Sequence, residues 1–149
     1  MSTLQRLPRA LFAAAVLIAA AASAAGPDAV TVIAPGQLQY RVDPKAPGAA
    51  IAVVAGDPQS GPYTIRVRFS AGATTPPHRH PDERTVTVLS GRYAFAVGER
   101  YEASALQVYD AGTVLVVPAG TPHFSAAPDG ETVVQESGVG PTGLELLAR

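Results

Sequence analysis

Glycine and proline break this chain into short pieces, and that punctuation is the strongest constraint on its fold. Fourteen of each occur in 149 residues, and between them lie segments rich in Val, Thr, Tyr, Phe and Ile, the residues that fit a pleated and half-buried surface. Strands are expected at residues 50–54, 63–69, 85–89, 92–97, 113–117 and 131–135, with weaker ones at 30–33 and 106–109. In 63–69 the alternation is explicit: Tyr63, Ile65, Val67 and Phe69 fall on one face, Thr64, Arg66 and Arg68 on the other. Arg66 and Arg68 face either solvent or a polar interior. Ser90-Gly91 reads as a tight hairpin turn, Pro128-Asp129-Gly130 as another turn, and residues 42–48 as a Pro-rich surface loop. Only residues 98–104 hint at a helix. About eight short strands at regular spacing suggest an all-β chain folded as a closed or nearly closed antiparallel barrel.

The first residues do not belong to that barrel. Arg6 and Arg9 precede an uninterrupted apolar run at 10–22, followed by Ala22-Ser23-Ala24, the small residues a signal peptidase needs. Such a run is too short to span a bilayer, which takes ~20 residues. Residues 1–24 are therefore expected to be a secretory signal and 25–149 the single folded domain, exported to a bacterial periplasm or the medium. With no cysteine, the fold in that oxidising compartment must rest on its core or on a metal rather than on disulfides.

Charge narrows the partners. Eleven Lys and Arg stand against twelve Asp and Glu, Lys45 is the only lysine, and the arginines are scattered, so the basic footprint of a nucleic-acid binder is missing. Neither nucleic acid nor, after signal cleavage, a membrane is expected as a partner.

The three histidines of the chain are His78, His80 and His123. On an extended segment His78 and His80 point the same way and Arg79 the other, so the pair can grip one ion. A His-x-His alone is a weak signal, because two exposed loop histidines are common. Thr75-Pro76-Pro77 stiffens the approach to the pair, and 118–122 (PAGTP) forms a rigid turn that delivers His123 at the start of a strand.

Over these residues the sequence resembles the cupin superfamily across nearly the whole chain after the signal. The first family pattern runs Gly, five residues, His-x-His, then Glu and a closing Gly; Gly72, His78-Arg79-His80 and Gly91 match it. The second runs Gly, five residues, Pro-x-Gly, two residues, His, three residues, Asn; Gly112, Pro118-Ala119-Gly120 and His123 match it. The resemblance implies a single cupin-type barrel, a double-stranded β-helix or jelly roll, and a metal site on the three histidines. Two positions depart from it: Arg84 stands where the metal-binding Glu belongs, and Ala127 where the final Asn belongs. Arginine cannot coordinate a metal, because its guanidinium stays protonated. Glu83 is a candidate fourth ligand or second-shell group, but its strand parity is wrong unless a bulge turns it inward. Arg84 either points inward, to meet a substrate carboxylate or pair with Asp82 or Glu83, or faces out. Tyr93, Phe95 and Tyr109 read as core or pocket wall, and the direction of Gln135 is open.

A three-histidine site without a carboxylate suits divalent Fe, Ni, Cu, Zn or Co better than Mn or Mg. The function expected by resemblance is a metal-dependent small-molecule enzyme of dioxygenase type. The alternative is a non-catalytic periplasmic module that binds or senses a small, polar or anionic molecule in the same pocket. Homodimers through exposed edge strands fit such a barrel.

Overall fold

The computed structural model describes residues 30–147; the expected signal lies outside them. From Ile33 onward the chain forms one compact unit of eleven strands in two antiparallel sheets. The strands are β1 (Arg41–Asp43), β2 (Ala46–Gly56), β3 (Pro62–Phe69), β4 (His78–Arg79), β5 (Arg84–Ser90), β6 (Arg92–Val97), β7 (Gln107–Asp110), β8 (Val114–Val117), β9 (His123–Ala126), β10 (Thr132–Val139) and β11 (Glu145–Leu146). One sheet has the order β1-β2-β3-β10-β5-β8, the other β11-β4-β9-β6-β7. The two sheets face each other as a jelly roll that stays open at its seams rather than closing into one continuous barrel.

The alternation read from the sequence decides which residues lie between the sheets. Tyr63, Ile65, Val67 and Phe69 of β3 are all buried, as are Val86 and Val88 of β5, Val134 of β10 and Tyr93 and Phe95 of β6. Burying each such side chain is worth about 1.5–3 kcal/mol. The opposite face of β3 points outward: Arg68 lies 4.2 Å over the Tyr40 ring, and Arg66 Nε donates to Gln135 Oε1 at 3.4 Å, so Gln135 faces out as well.

Four local expectations are corrected. Residues 30–33 form no strand, since β-branched residues gain nothing from extension without a neighbour to pair with. Residues 42–48 are not a surface loop but a strand–turn–strand, with Pro44 and Lys45 in the turn. Pro44 presets the turn's φ, and Asp43 Oδ1 accepts from the Lys45 N–H at 2.9 Å. The hint of helix at 98–104 reduces to one 3-10 turn at Ala103–Ala105. Ser90-Gly91 is a tight turn but not a hairpin, because β5 and β6 lie in different sheets. It is a corner that carries the chain from one sheet to the other. Gly91 takes φ +74°, and a Cβ there would stand 2.4 Å from the Glu131 carbonyl oxygen, so only glycine fits.

Candidate metal centre

The two histidine segments are neighbours in space because they are hydrogen-bonded to each other along their length. Gly72 N–H donates to the Ala127 carbonyl at 2.8 Å, Ala127 N–H to Ala73 at 2.9 Å, and Thr75 N–H to Ser125 at 2.8 Å. His78 of β4 then stands directly opposite His123 of β9. His80, two residues on, joins them: the ring centroids of His78 and His80 are 4.8 Å apart, those of His78 and His123 4.3 Å, and those of His80 and His123 5.2 Å. One ring nitrogen from each lies within 4.8 Å of the others. Phe95 stacks on His123 at 5.0 Å and limits the ring's rotation. Ala127 is fully buried and serves this pairing through its backbone.

Each imidazole is fixed in the same tautomer. His78 Nδ1 lies 2.7 Å from the Pro76 carbonyl, His80 Nδ1 2.7 Å from Gly143, and His123 Nδ1 2.9 Å from Thr121. A carbonyl can only accept, so all three Nδ1 atoms carry the proton and all three Nε2 atoms keep a lone pair. His78 and His123 reach this state by one local device, a proline before the histidine that holds the carbonyl two residues back in range. Burial lowers the pKa of all three: His80 to about 3, helped by the Arg84 charge, His123 to about 3, helped by His78, and His78 in the same direction. Three neutral imidazoles converging with unshared lone pairs are a donor set that fits a divalent transition metal, each ring already held through its other nitrogen. Whichever ion sits there, the residues that could hold it are His78, His80 and His123.

Arg84 is the first residue of β5 and Glu83 precedes the strand. Glu83 is exposed and stands outside the histidine group. Arg84 points inward and is 4% exposed. Its charge is already matched. NH1 donates to Glu136 Oε2 at 2.8 Å and NH2 to Asp82 Oδ1 at 2.8 Å, while Thr142 Oγ1 sits 2.5 Å from both NH2 and Asp82 Oδ1. Of the alternatives the sequence left open, the structure has the inward direction and the pair with Asp82, with Glu136 rather than Glu83 as the second partner. Tyr63 completes the network by donating to Asp82 Oδ2 at 2.5 Å; burial and that hydrogen bond push the phenol up to about 12. Burial works against the Asp82 charge, but hydrogen bonds from Thr142 and Tyr63 and the adjoining Arg84 outweigh it and hold the carboxyl below its ordinary range.

The sequence reading did not single out Glu136, Thr142 or Gly143. Glu136 had a signal: it continues by one step the inward parity of Thr132 and Val134. Thr142 and Gly143 had none. They lie on a C-terminal strap, beyond a segment of no clear pattern, that β11 ties to β4 through the Glu145↔Arg79 register and the exposed pair of Arg79 NH2 and Glu145 Oε1 at 2.6 Å.

The histidines, Arg84, Glu136 and Thr142 border a cavity of about 260 Å³ between the sheets. Its remaining wall is mostly apolar, with Ile51, Ile65, Val67, Val86, Tyr93 and Phe95 lining it. That volume is slightly under the ~300–1,000 Å³ of sites for drug-sized molecules.

Residues 65–135 match the profile of the Cupin_2 family, described as a cupin domain. No curated protein matches the chain. Among solved structures, the polyketide cyclase RemF from Streptomyces resistomycificus is similar with a TM-score of 0.69 at 14% identity, over 81% of this chain and 87% of that one. KdgF from Halomonas sp. is similar with a TM-score of 0.59 at 20% identity, over 74% and 94%. An RmlC-like cupin from Shewanella frigidimarina gives 0.58 at 16%, over 74% and 91%. At these identities the likeness concerns the fold alone.

Proposed function

This chain belongs to the cupin superfamily, and on that premise we propose that it is an exported, metal-dependent enzyme acting on a small molecule, with a divalent transition metal held by His78, His80 and His123. The observation that carries the reading is the set of three lone pairs: every Nδ1 is tied to a backbone carbonyl, so every Nε2 keeps its lone pair, and one ring nitrogen of each histidine lies within 4.8 Å of the others. An ion on three protein ligands would supply a Lewis-acidic centre with positions left open for a substrate oxygen and a co-reactant.

The chain's own residues do the rest. Pro76, Thr121 and Gly143 hold the imidazoles in one tautomer through their carbonyls. The apolar wall and Phe95 exclude water and orient a ligand against the histidines. Arg84 and Glu136 form a polar floor, with Arg84 held by Asp82. Dioxygen-dependent oxidation of the bound molecule is the reaction class we favour, on the cupin resemblance, and neutral nitrogen ligands are compatible with the iron, copper or nickel it would use. One observation favours a second reading, a binding or sensing module without turnover: the charged side chains beside the histidines are spent on one another.

Oxygen uptake by iron-, copper- and nickel-loaded protein, recorded over a panel of small apolar acids, enols and phenols, separates the two. Uptake with product formation, abolished in His123→Ala, supports the enzyme. Saturable binding without oxygen uptake or product supports the module.

A further inference from the structure

Arg84 is the only Lys or Arg among the described residues lining the cavity. Its Nη1 donates to Glu136 and its Nη2 to Asp82 and Thr142, and Nε, its one nitrogen without a partner, is sealed from solvent. One guanidinium between two carboxylates leaves that cluster with a net negative charge, of which Glu136 lines the cavity. Asp43 lines the cavity as well, and the three imidazoles are neutral. Everything else a ligand meets away from the histidines is apolar or uncharged.

We infer that the cavity selects a largely apolar ligand bearing a single anionic oxygen head group, and rejects dianions such as dicarboxylates and phosphate esters. This rests on the metal reading above. A divalent ion on the histidines would be the one free positive charge a ligand meets, and a single carboxylate, enolate or phenolate supplies the donor oxygen for it. A second anionic group would lose its hydration against Ile51, Val67 and Val86 with no free cation to meet it and with Glu136 and Asp43 repelling it. Arg84, the residue that would ordinarily advertise an anion site, instead fixes the two carboxylates in place. Glu136 and Asp43, the two carboxylates of the lining, are the specificity-determining residues, acting through charge rather than through contact with the reacting atoms, while Asp82 helps hold Arg84 engaged.

Crotonate and fumarate test this directly, since they share a skeleton and differ by a methyl against a carboxylate. Cobalt-loaded protein is titrated with each, and binding is followed by the visible absorption of the ion. Crotonate is expected to bind at least about tenfold more tightly than fumarate, equivalent to ~1.4 kcal/mol. Glu136→Gln, which removes one negative charge from the lining, should shrink that ratio at least threefold, and Asp43→Asn gives the same reading if the first variant fails to fold. Fumarate binding as tightly as crotonate in the unaltered protein overturns the inference, as does a ratio unmoved in folded variants. Failure to take up cobalt contradicts the metal reading itself, and the ligand inference with it; cobalt uptake with fumarate preferred contradicts the ligand inference alone.

Discussion

Arg84 is buried between two carboxylates, and removing it leaves both without their counter-charge. Breaking a buried pair in this way costs about 3–5 kcal/mol, so Arg84→Met should lose that much in urea unfolding, while Arg84→Glu should add a third carboxylate rather than a metal ligand. The histidines carry a pH signature of opposite origin. Burial keeps them neutral in the fold, so below about pH 6.5 the unfolded chain binds more protons than the native one, and stability rises with pH. The melting temperature of chelator-treated protein should therefore fall as pH drops from about 6.5, and continue falling toward about 3, where His80 and His123 protonate in place. His80→Asn, which removes one titrating ring, should flatten that slope between pH 7 and 5. At this scale the candidate site was legible through His78 and His80, whose spacing turns both to one side, and through His123, which the cupin resemblance adds to them. The partners of Arg84 were only half legible: Asp82 is its near neighbour in sequence, whereas Glu136 arrives across 52 residues, and spacing along one strand says nothing of which other strand lies beside it.

Strands were readable where turn residues bound a run of strand formers. Residues 92–97 carry the expected bounds between Gly91 and Gly98, although both faces of the strand are buried, and 63–69, where alternation agrees with the bounding residues, gains only Pro62. Sheet membership was not readable, since pairing is set by non-local hydrogen bonds: β10 alone bonds to both β3 and β5. The corner at Gly91 shows why. A two-residue link ending in glycine serves a hairpin or a sheet-to-sheet turn equally well, and only the neighbouring Glu131 backbone decides. Gly91→Ala must bear both a left-handed φ, worth about 1–2 kcal/mol for a side chain, and a clash with the Glu131 carbonyl. It should lower the melting temperature by more than Gly36→Ala, where a Cβ meets open space.

As a whole molecule, the chain is proposed to work after export as a compact jelly roll, with edge strands that suit a homodimer. Mass spectrometry of protein recovered from an exporting bacterium should show a start at Ala25 or Gly26, after either small-residue cleavage pattern; a chain still beginning at Met1 contradicts export. The C-terminal strap makes the site a property of the entire fold, because Gly143 holds His80 and Thr142 braces Arg84 from beyond the last long strand. The central claim, a metal on three histidines, is tested by metal content and X-ray absorption on the unaltered protein beside His78→Ala, His80→Ala and His123→Ala. The account predicts one ion per chain with three nitrogen neighbours at about 2.0–2.1 Å if zinc, and loss of most of it in each variant. Protein that binds no divalent transition metal, or that keeps its full complement in all three variants, would contradict it.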